Sequence, residues 1–325
     1  METCPICKRG DLRPTELAVT MPNVLRRWEE ALRQPISEKV WDEYRELGEQ
    51  PIHLCECTEC GFGRFEPIVP GTASFYESIT ASDYYTVEKW EFSCAVAEFK
   101  ASGAKKILDV GCGSGAFLDQ LKKSMPGAEL FGFDLNGEFL DQLASRGFGV
   151  LPNNPDNFDE AMTGQAHFDA ICMLQVLEHV GDPVAFLKTF TRLLRPDGLL
   201  IVTTPNAAGP IRKFPDALTE IPPHHLTRWS ESVFRVFLPA HGLSIQSVKF
   251  EPLPDYLWDA YLPEMWGEQI WPAQIFDPIA RQRGLSTVGE RSGMAAQAMR
   301  SAGIRWLHGV PGHTIYVAAR LEGNK

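Results

Sequence analysis

The sequence predicts an α/β fold centred on a mostly parallel sheet, and three observations carry that prediction. Ile107 to Leu118 reads ILDVGCGSGAFL: an apolar run, glycines at the alternate positions 111, 113 and 115, then an amphipathic start, which together read as strand, tight turn and helix. An acidic residue, Asp134, ends the next apolar run about twenty residues beyond the glycines, where a carboxylate can accept hydrogen bonds from ribose hydroxyls. From Lys106 onward, apolar runs of strand length alternate with helical patterns, as consecutive β-α units require.

Taken in order, residues 61–75 read as strand and loop, and residues 76–102 as helical structure beside a ligand site. Strands are expected at 106–110, 128–133, near 149–151, at 169–174 and 199–203, with two more near 245–251 and 314–321 to make seven. The helix after Gly181 is well marked: Asp182 can cap it, Pro183 suits its first position, and Phe186, Leu187, Phe190, Leu193 and Leu194 line one face. Pro196 and Gly198 are expected to end it, and another helix follows Ser230. Residues 253–313 are too long for a hairpin before the last strand, so they form an insertion with structure of its own, containing Trp258, Trp266 and Trp271.

At 325 residues the chain accommodates a core domain with one or two attachments, and its 44% apolar content is ordinary for a globular protein. The formal charge of −11 disfavours general attraction to phosphate backbones, so nucleic acid is not an expected partner. No segment resembles a signal peptide and no apolar run matches a transmembrane span, which makes a cytoplasmic enzyme the expectation. Nothing in the sequence fixes the oligomeric state.

Five of the eight cysteines cluster before residue 61. Cys4-Pro5-Ile6-Cys7 and Cys57-Thr58-Glu59-Cys60 are two knuckles of identical spacing that together complete a tetrahedral thiolate site, the pattern of a zinc ribbon. Cys55 leaves the register open, since Cys55-Glu56-Cys57 can slip the ligands. Unrelated cytosolic thiols or a redox pair are the other readings. The loop between the knuckles carries a charged helical insert over residues 22–49, and acidic side chains outnumber basic ones in residues 1–75, unlike a nucleic-acid reader. The boundaries expected are 1–75 for the ribbon-like region and 76–325 for the α/β domain.

The glycines remove Cβ atoms that would keep a ligand off the backbone, but Gly111, Gly113 and Ala116 also satisfy a dinucleotide pattern, leaving a nicotinamide-dependent oxidoreductase as one reading. Wider context favours another. Asp109 before the loop, MLQVLEHVGDP at 173–183 and LLRPDGLLIVTTPN at 193–206 resemble, in order and spacing, the class I S-adenosylmethionine-dependent methyltransferases that act on small molecules, over roughly residues 90–250. The resemblance implies a Rossmann-like seven-stranded sheet. It also implies that the loop of Gly111, Cys112, Gly113 and Gly115 holds the methionine end of S-adenosylmethionine, with Asp109 orienting loop and amino-acid portion and Asp134 on the ribose. It further supports the zinc assignment, the four-thiolate zinc being structural.

Leu135 is expected against the adenosine, Asn154 or Asn157 by the adenine, and Gln175, at the carboxyl edge of its strand, against cofactor or acceptor. Tyr84 and Tyr85 are either a cofactor cover or an ordinary tyrosine pair. His179 in LEHV is either a proton shuttle or a fixer of the strand-helix turn. His224 and His225, in IPPHHLTRWS, offer a base for a hydroxyl proton, His224 being preferred, against a structural role in the loop. The aromatic insertion can wall an acceptor pocket, form a dimer contact or make a small core. Arg281, Arg283, Arg291, Arg300 and Arg305 face only Glu290 in their window, either a solvated face or a site for an anionic acceptor. The expected function is O-methylation of a small hydroxyl-bearing acceptor such as a glycan precursor, lipid-like molecule or secondary metabolite. An RNA or protein methyltransferase, or a non-catalytic cofactor-binding partner that docks through the ribbon, are the alternatives.

Overall fold

The computed structural model describes residues 2–79, 89–158 and 167–323. Its main sheet has seven strands in the order β11-β12-β9-β8-β5-β6-β7. In chain order these are β5 (Lys106–Val110), β6 (Glu129–Phe133), β7 (Gly149–Val150), β8 (Phe168–Leu174), β9 (Leu194–Pro205), β11 (Leu243–Pro254) and β12 (Trp306–Leu321). The run from β9 to β7 is parallel, while β12 is antiparallel to both β9 and β11. This is the mixed α/β, Rossmann-like sheet expected, each strand overlapping its expected place, although β9 begins at Leu194 and β12 at Trp306, inside the stretch assigned to the insertion.

Side-chain alternation explains why both faces are covered. Leu108, Val110, Ile171, Met173, Leu200, Val202, Ile315 and Val317 enter one apolar cluster, while Ile107, Ala170, Cys172, Leu199, Ile201, Tyr316 and Ala318 enter the other. The helix Pro183–Thr191 closes the first face; Asp182 caps it by accepting from the N–H groups of Val184 and Ala185. It ends sooner than expected, and Pro196 and Gly198 lie within β9, which starts at Leu194 and shifts register against β8 between Phe168 and Ala170. The helices Ala73–Ile79 and Trp90–Ser102 occupy the stretch expected to be helical. Tyr84 and Tyr85 lie outside the described residues.

A second sheet of order β1-β2-β3-β4-β10 is built from β1 (Glu2–Thr3), β2 (Asp11–Val19), β3 (Ile52–Cys57), β4 (Gly63–Glu66) and β10 (Thr227–Arg228). The last of these comes from far along the chain, with Thr227 opposite Arg64. Phe65 N–H also donates to the Leu226 carbonyl at 2.9 Å, and Leu226 N–H to the Glu178 carbonyl at 2.7 Å. Leu12 of this sheet and Ile6 and Phe62 beside it belong to the same cluster as one face of the main sheet, joined through Trp229 and Phe234, whereas Val19, Ile52, Leu54 and Phe65 enter a separate core. The helical insert between the knuckles, Met21–Leu32 and Glu38–Glu43, packs Val24, Leu25, Trp28 and Val40 into a core with Phe75 and Ile221.

The insertion before β12 contains helices Trp258–Met265, Trp271–Gln282 and Val288–Ser301. Of the three roles open to its aromatic residues, a small core is the one Trp258 and Trp266 fill: both are buried among Leu262, Met265, Ala296, Met299 and Leu307. The positive excess expected beside them is corrected by aspartates outside the arginine window. Arg281 and Arg291 pair with Asp277, Arg300 with Asp259 and Arg305 with Asp255. No helix among the described residues is long and apolar enough to cross a membrane.

Candidate active site

After β5 the chain moves outward to β6 and β7, then returns to lay β8 and β9 on the other side of β5. The crevice outside the carboxyl ends of β5 and β8 is therefore a topological switch point, where open α/β sheets bind ligands. Gly111, Gly113 and Gly115 sit there at φ 72°, 51° and 84°, a region L side chains rarely enter. A Cβ on Gly111 would come within 2.6 Å of Val176 Cγ2, and one on Gly115 within 2.4 Å of Leu143 and Arg146. The expected reason for these two glycines therefore needs amending: the bodies they must avoid are neighbouring turns of the protein itself.

The loop is held by its own network. Gly111 and Cys112 N–H donate to the Phe133 carbonyl at 2.7 and 3.0 Å. Asp134 Oδ2 accepts from Gly113 N–H and Oδ1 from Asn136 N–H, each at 2.9 Å. Asp134 is half-buried at the mouth of the crevice, and Leu135 beside it is an apolar side chain 75% exposed. Asp109 lies behind the loop at 3% exposure and accepts a hydrogen bond from the Cys172 thiol at 3.4 Å. Burial pushes its carboxyl up to about 7. Cys112 is buried, with its thiol raised by the same cause, and a Cβ on Gly132 would meet its Sγ at 2.8 Å. Asn154 caps a short turn by accepting from Asp156 N–H, and Asn157 is exposed at the end of that turn.

Gln175 ends β8 at φ 59°, a sparsely populated conformation for a non-glycine residue, fixed by its N–H donating to the Thr203 carbonyl at 3.0 Å. Its amide nitrogen lies 3.4 Å from Glu91 Oε1 and 3.5 Å from the hydroxyls of Thr203 and Thr314. One turn further on, the carboxylate of Glu178 is fully buried, has no hydrogen-bond partner among the described residues, and is raised well above the ordinary range by desolvation.

The three histidines singled out from sequence come together. His224 and His225 stack at 4.5 Å between ring centroids, and His179 stands edge-on to both, at 4.8 and 4.7 Å. One nitrogen of each lies within 4.8 Å of the other two. His179 Nδ1 is 2.6 Å from the His224 carbonyl oxygen and 3.2 Å from the Tyr76 hydroxyl. His225 Nδ1 faces Glu220 Oε2 at 3.5 Å, and Glu220 Oε1 faces His313 Nε2 at 3.3 Å. Desolvation lowers His179 to about 3 and His224 well below its ordinary value, so both are neutral at pH 7. Burial alone would raise Glu220, but His225 and His313 hold it ionised. Trp28, from the helical insert between the knuckles, packs edge-on against His224 at 6.2 Å.

Glu91, Glu220 and His313 were not singled out from sequence. They lie on a helix, in a loop and at the start of the final pairing of β12, and no local pattern marks them; only the fold brings them beside Gln175 and His225.

Cys4, Cys7, Cys57 and Cys60 also converge, with Sγ atoms all within 4.8 Å of one another; Cys4 to Cys60 is 3.8 Å and Cys7 to Cys57 is 3.5 Å. Sulfurs at bonds of about 2.3 Å around a tetrahedral ion stand about 3.8 Å apart, so the spacing fits zinc. Glu59 and Cys60 N–H groups point at Cys57 Sγ at 3.4 and 3.5 Å, and a Cβ on Gly10 would strike that sulfur at 2.8 Å. Cys55 is buried in β3 opposite Pro14 and Arg64, outside this cluster.

Residues 92–248 match the family model described as a methyltransferase domain. Those residues carry a methyltransferase domain, built on the Rossmann-like seven-stranded sheet. Within the chain, 117 residues are 33% identical to the ubiquinone biosynthesis O-methyltransferase of Actinobacillus pleuropneumoniae serotype 7, covering 33% of this chain and 49% of that protein. The ubiquinone biosynthesis O-methyltransferase of Pectobacterium carotovorum is 27% identical over 179 residues, covering 47% and 69%. The chain thus spans about half the length of the first of these relatives. The crystal structure of a SAM-dependent methyltransferase from Archaeoglobus fulgidus aligns with 73% of this chain and all of its own at 17% identity, with a TM-score of 0.43. The methyltransferase domain contains the glycine loop, Asp134, Gln175 and all three clustered histidines, whereas the four ribbon cysteines and the 253–313 insertion lie outside the matched residues.

Proposed function

We propose that this protein transfers the methyl group of S-adenosylmethionine to a hydroxyl of a small molecule. The observation that carries the proposal is that the turn after β8 packs Val176 against Gly111 of the Asp134-clamped loop and, three residues on, carries His179 into the cluster with His224 and His225. Gly111, Cys112, Gly113 and Gly115 would hold the methionine end of the cofactor, Asp109 would orient the loop from behind, Asp134 would take the ribose and Leu135 would cover the adenosine. Bound there, the cofactor supplies an electrophilic methyl group on a sulfonium.

The chain's task is alignment and preparation of the acceptor oxygen. That oxygen loses its proton and its lone pair forms the bond to the methyl carbon. The carbon–sulfur bond breaks, and its electron pair goes to sulfur, leaving S-adenosylhomocysteine. We assign preparation of the oxygen to the cluster of His179, His224 and His225. The O-methyltransferase names of the relatives favour a hydroxyl acceptor, and the acidic balance of the chain argues against a nucleic acid.

Residues 1–75 we read as a ribbon whose four thiolates bind structural zinc, and residues 76–325 as the methyltransferase unit with its 253–313 insertion. Four protein ligands leave no open position on that zinc, so it takes no part in the transfer. Reduced thiolates at that site suit the cytoplasm.

The test is transfer of labelled methyl from S-adenosylmethionine into a cell extract separated into small molecules, lipids and glycans, RNA, and protein, with Asp134→Ala as control. Label in a small-molecule or lipid and glycan fraction, lost in the control, is expected. Label in RNA or protein would replace the acceptor class. Cofactor binding without label anywhere would turn the reading toward a binding protein.

A further inference from the structure

We infer that His179, His224 and His225 form a second metal centre, a three-imidazole site for a divalent transition ion such as zinc, whose open position takes the acceptor's hydroxyl. This rests on the reading of that cluster as the place where the acceptor oxygen is prepared. Three separate features of the chain point to metal rather than to an isolated base.

The first is number and approach. One nitrogen from each of three rings gathers within 4.8 Å, on two segments about 45 residues apart, in a pocket where His224 and His225 are 1% and 5% exposed. A tetrahedral ion bonded at about 2.0–2.1 Å needs its nitrogen ligands about 3.4 Å apart, so ring movements of about an ångström close the site. A base needs a single imidazole; three with converging nitrogens match the ligand set of a catalytic zinc, which keeps its fourth position open.

The second is what lies behind the rings. Metal-bound histidines hold their other nitrogen on a carboxylate or a backbone carbonyl, fixing tautomer and orientation. His225 Nδ1 faces the Glu220 carboxylate at 3.5 Å, and His179 Nδ1 faces the His224 carbonyl at 2.6 Å, which leaves Nε2 of each ring as the nitrogen for an ion. Glu220 is anchored in turn by His313 at 3.3 Å.

The third is a buried acid beside the rings. Glu178, the residue before His179, is fully buried and its two oxygens have no hydrogen-bond partner among the described residues. A buried polar group left without a partner marks a place where an ion belongs. At such a centre the acceptor hydroxyl binds as the fourth ligand, its proton leaves to water, and the metal-held oxygen attacks the methyl group of the cofactor.

Cobalt titration of the full-length apoprotein separates this centre from the ribbon, because thiolate ligation gives an intense sulfur-to-cobalt charge-transfer band that imidazole ligation lacks. Wild type is expected to take up two ions, one with that band and one with ligand-field bands alone. His179→Ala and His225→Ala should each lose the second ion and keep the first. Glu220→Gln, a milder change, should weaken the second ion by about 10–100-fold while keeping the first. Binding of S-adenosylhomocysteine checks that each variant is folded. A single, thiolate-bound cobalt in wild type, or an unaltered second ion in the histidine variants, would overturn the inference. Labelled methyl transfer by protein carrying ribbon metal alone would also overturn it, yet leave the methyltransferase reading standing. A second cobalt site in a protein that transfers no methyl group would do the reverse.

Discussion

The two sides of the crevice are built in opposite ways. On the glycine-loop side, Asp109, the glycines and Asp134 lie within 26 residues, and the loop's own N–H groups bond to the Phe133 carbonyl and the Asp134 carboxylate at 2.7–3.0 Å. On the histidine side, Glu91, Gln175, His179, Glu220, His225 and His313 come from four separate segments and meet through side chains. The first is a local device that one stretch of chain can specify. The second exists only once the sheet, the ribbon and the insertion have all been placed, so its identity can vary while the loop stays the same.

The contrast is tested most severely at the ribbon. Cys57→Ala should destabilise the fold by about 5 kcal/mol or more, judged against the roughly 10 kcal/mol that structural zinc supplies to isolated fingers. Thermal unfolding with and without chelator measures it; a variant as stable as wild type would remove the metal from the ribbon. Gly111→Ala should cost about 2–4 kcal/mol, because φ 72° and a Cβ 2.6 Å from Val176 act together. Adding Val176→Ala should recover the contact portion but not the backbone portion, which denaturant titration of both variants resolves. Loss confined to cofactor affinity would instead mean that the glycine serves the ligand.

Asp134→Ala removes two charge-assisted bonds of about 1.5–3 kcal/mol each, part of which water replaces, so S-adenosylhomocysteine should bind about 10–100-fold more weakly by calorimetry. An unchanged dissociation constant would break the assignment of this side altogether. The Asp109 carboxyl, raised to about 7 in the fold, stays protonated where the unfolded chain would release its proton. Its contribution to stability is therefore present below pH about 4 and lost as pH rises through about 7, a change of up to about 4 kcal/mol. Asp109→Asn should flatten that part of the stability–pH curve; a curve parallel to wild type would mean the carboxyl is ionised throughout. The smallest effect is expected on the insertion, where Arg300→Ala breaks a half-exposed pair with Asp259 worth about 0.5 kcal/mol.

The same contrast explains what could be read in advance. Strand placement was legible because alternate residues of β5, β8 and β9 face two covered surfaces and must be apolar throughout. Asp182-Pro183 announced its helix because a cap is a short-range bond. The histidine pair and LEHV were visible as motifs, but their meeting was not, since it depends on β10 carrying the loop back to β4. Glu220 and His313 were invisible for the same reason: a buried carboxylate or imidazole far from its partner looks like any surface residue. The arginine run misled because the aspartates that neutralise it precede their partners by up to 50 residues, beyond any local count of charge.

The pairing of Thr227–Arg228 with Gly63–Arg64 has one further consequence. Two residues before that strand stands His225, and the adjoining Leu226 is bonded to Phe65 on one side and to the residue before His179 on the other. The N-terminal sheet is therefore a splint for the histidine loop and cannot be treated as a detachable cassette. A shortened chain starting at the α/β unit would leave β10 without its neighbour and the histidine loop without its brace. A hybrid that exchanged this ribbon for another would have to reproduce the edge of β4, as well as the four cysteines, to keep the three histidines together.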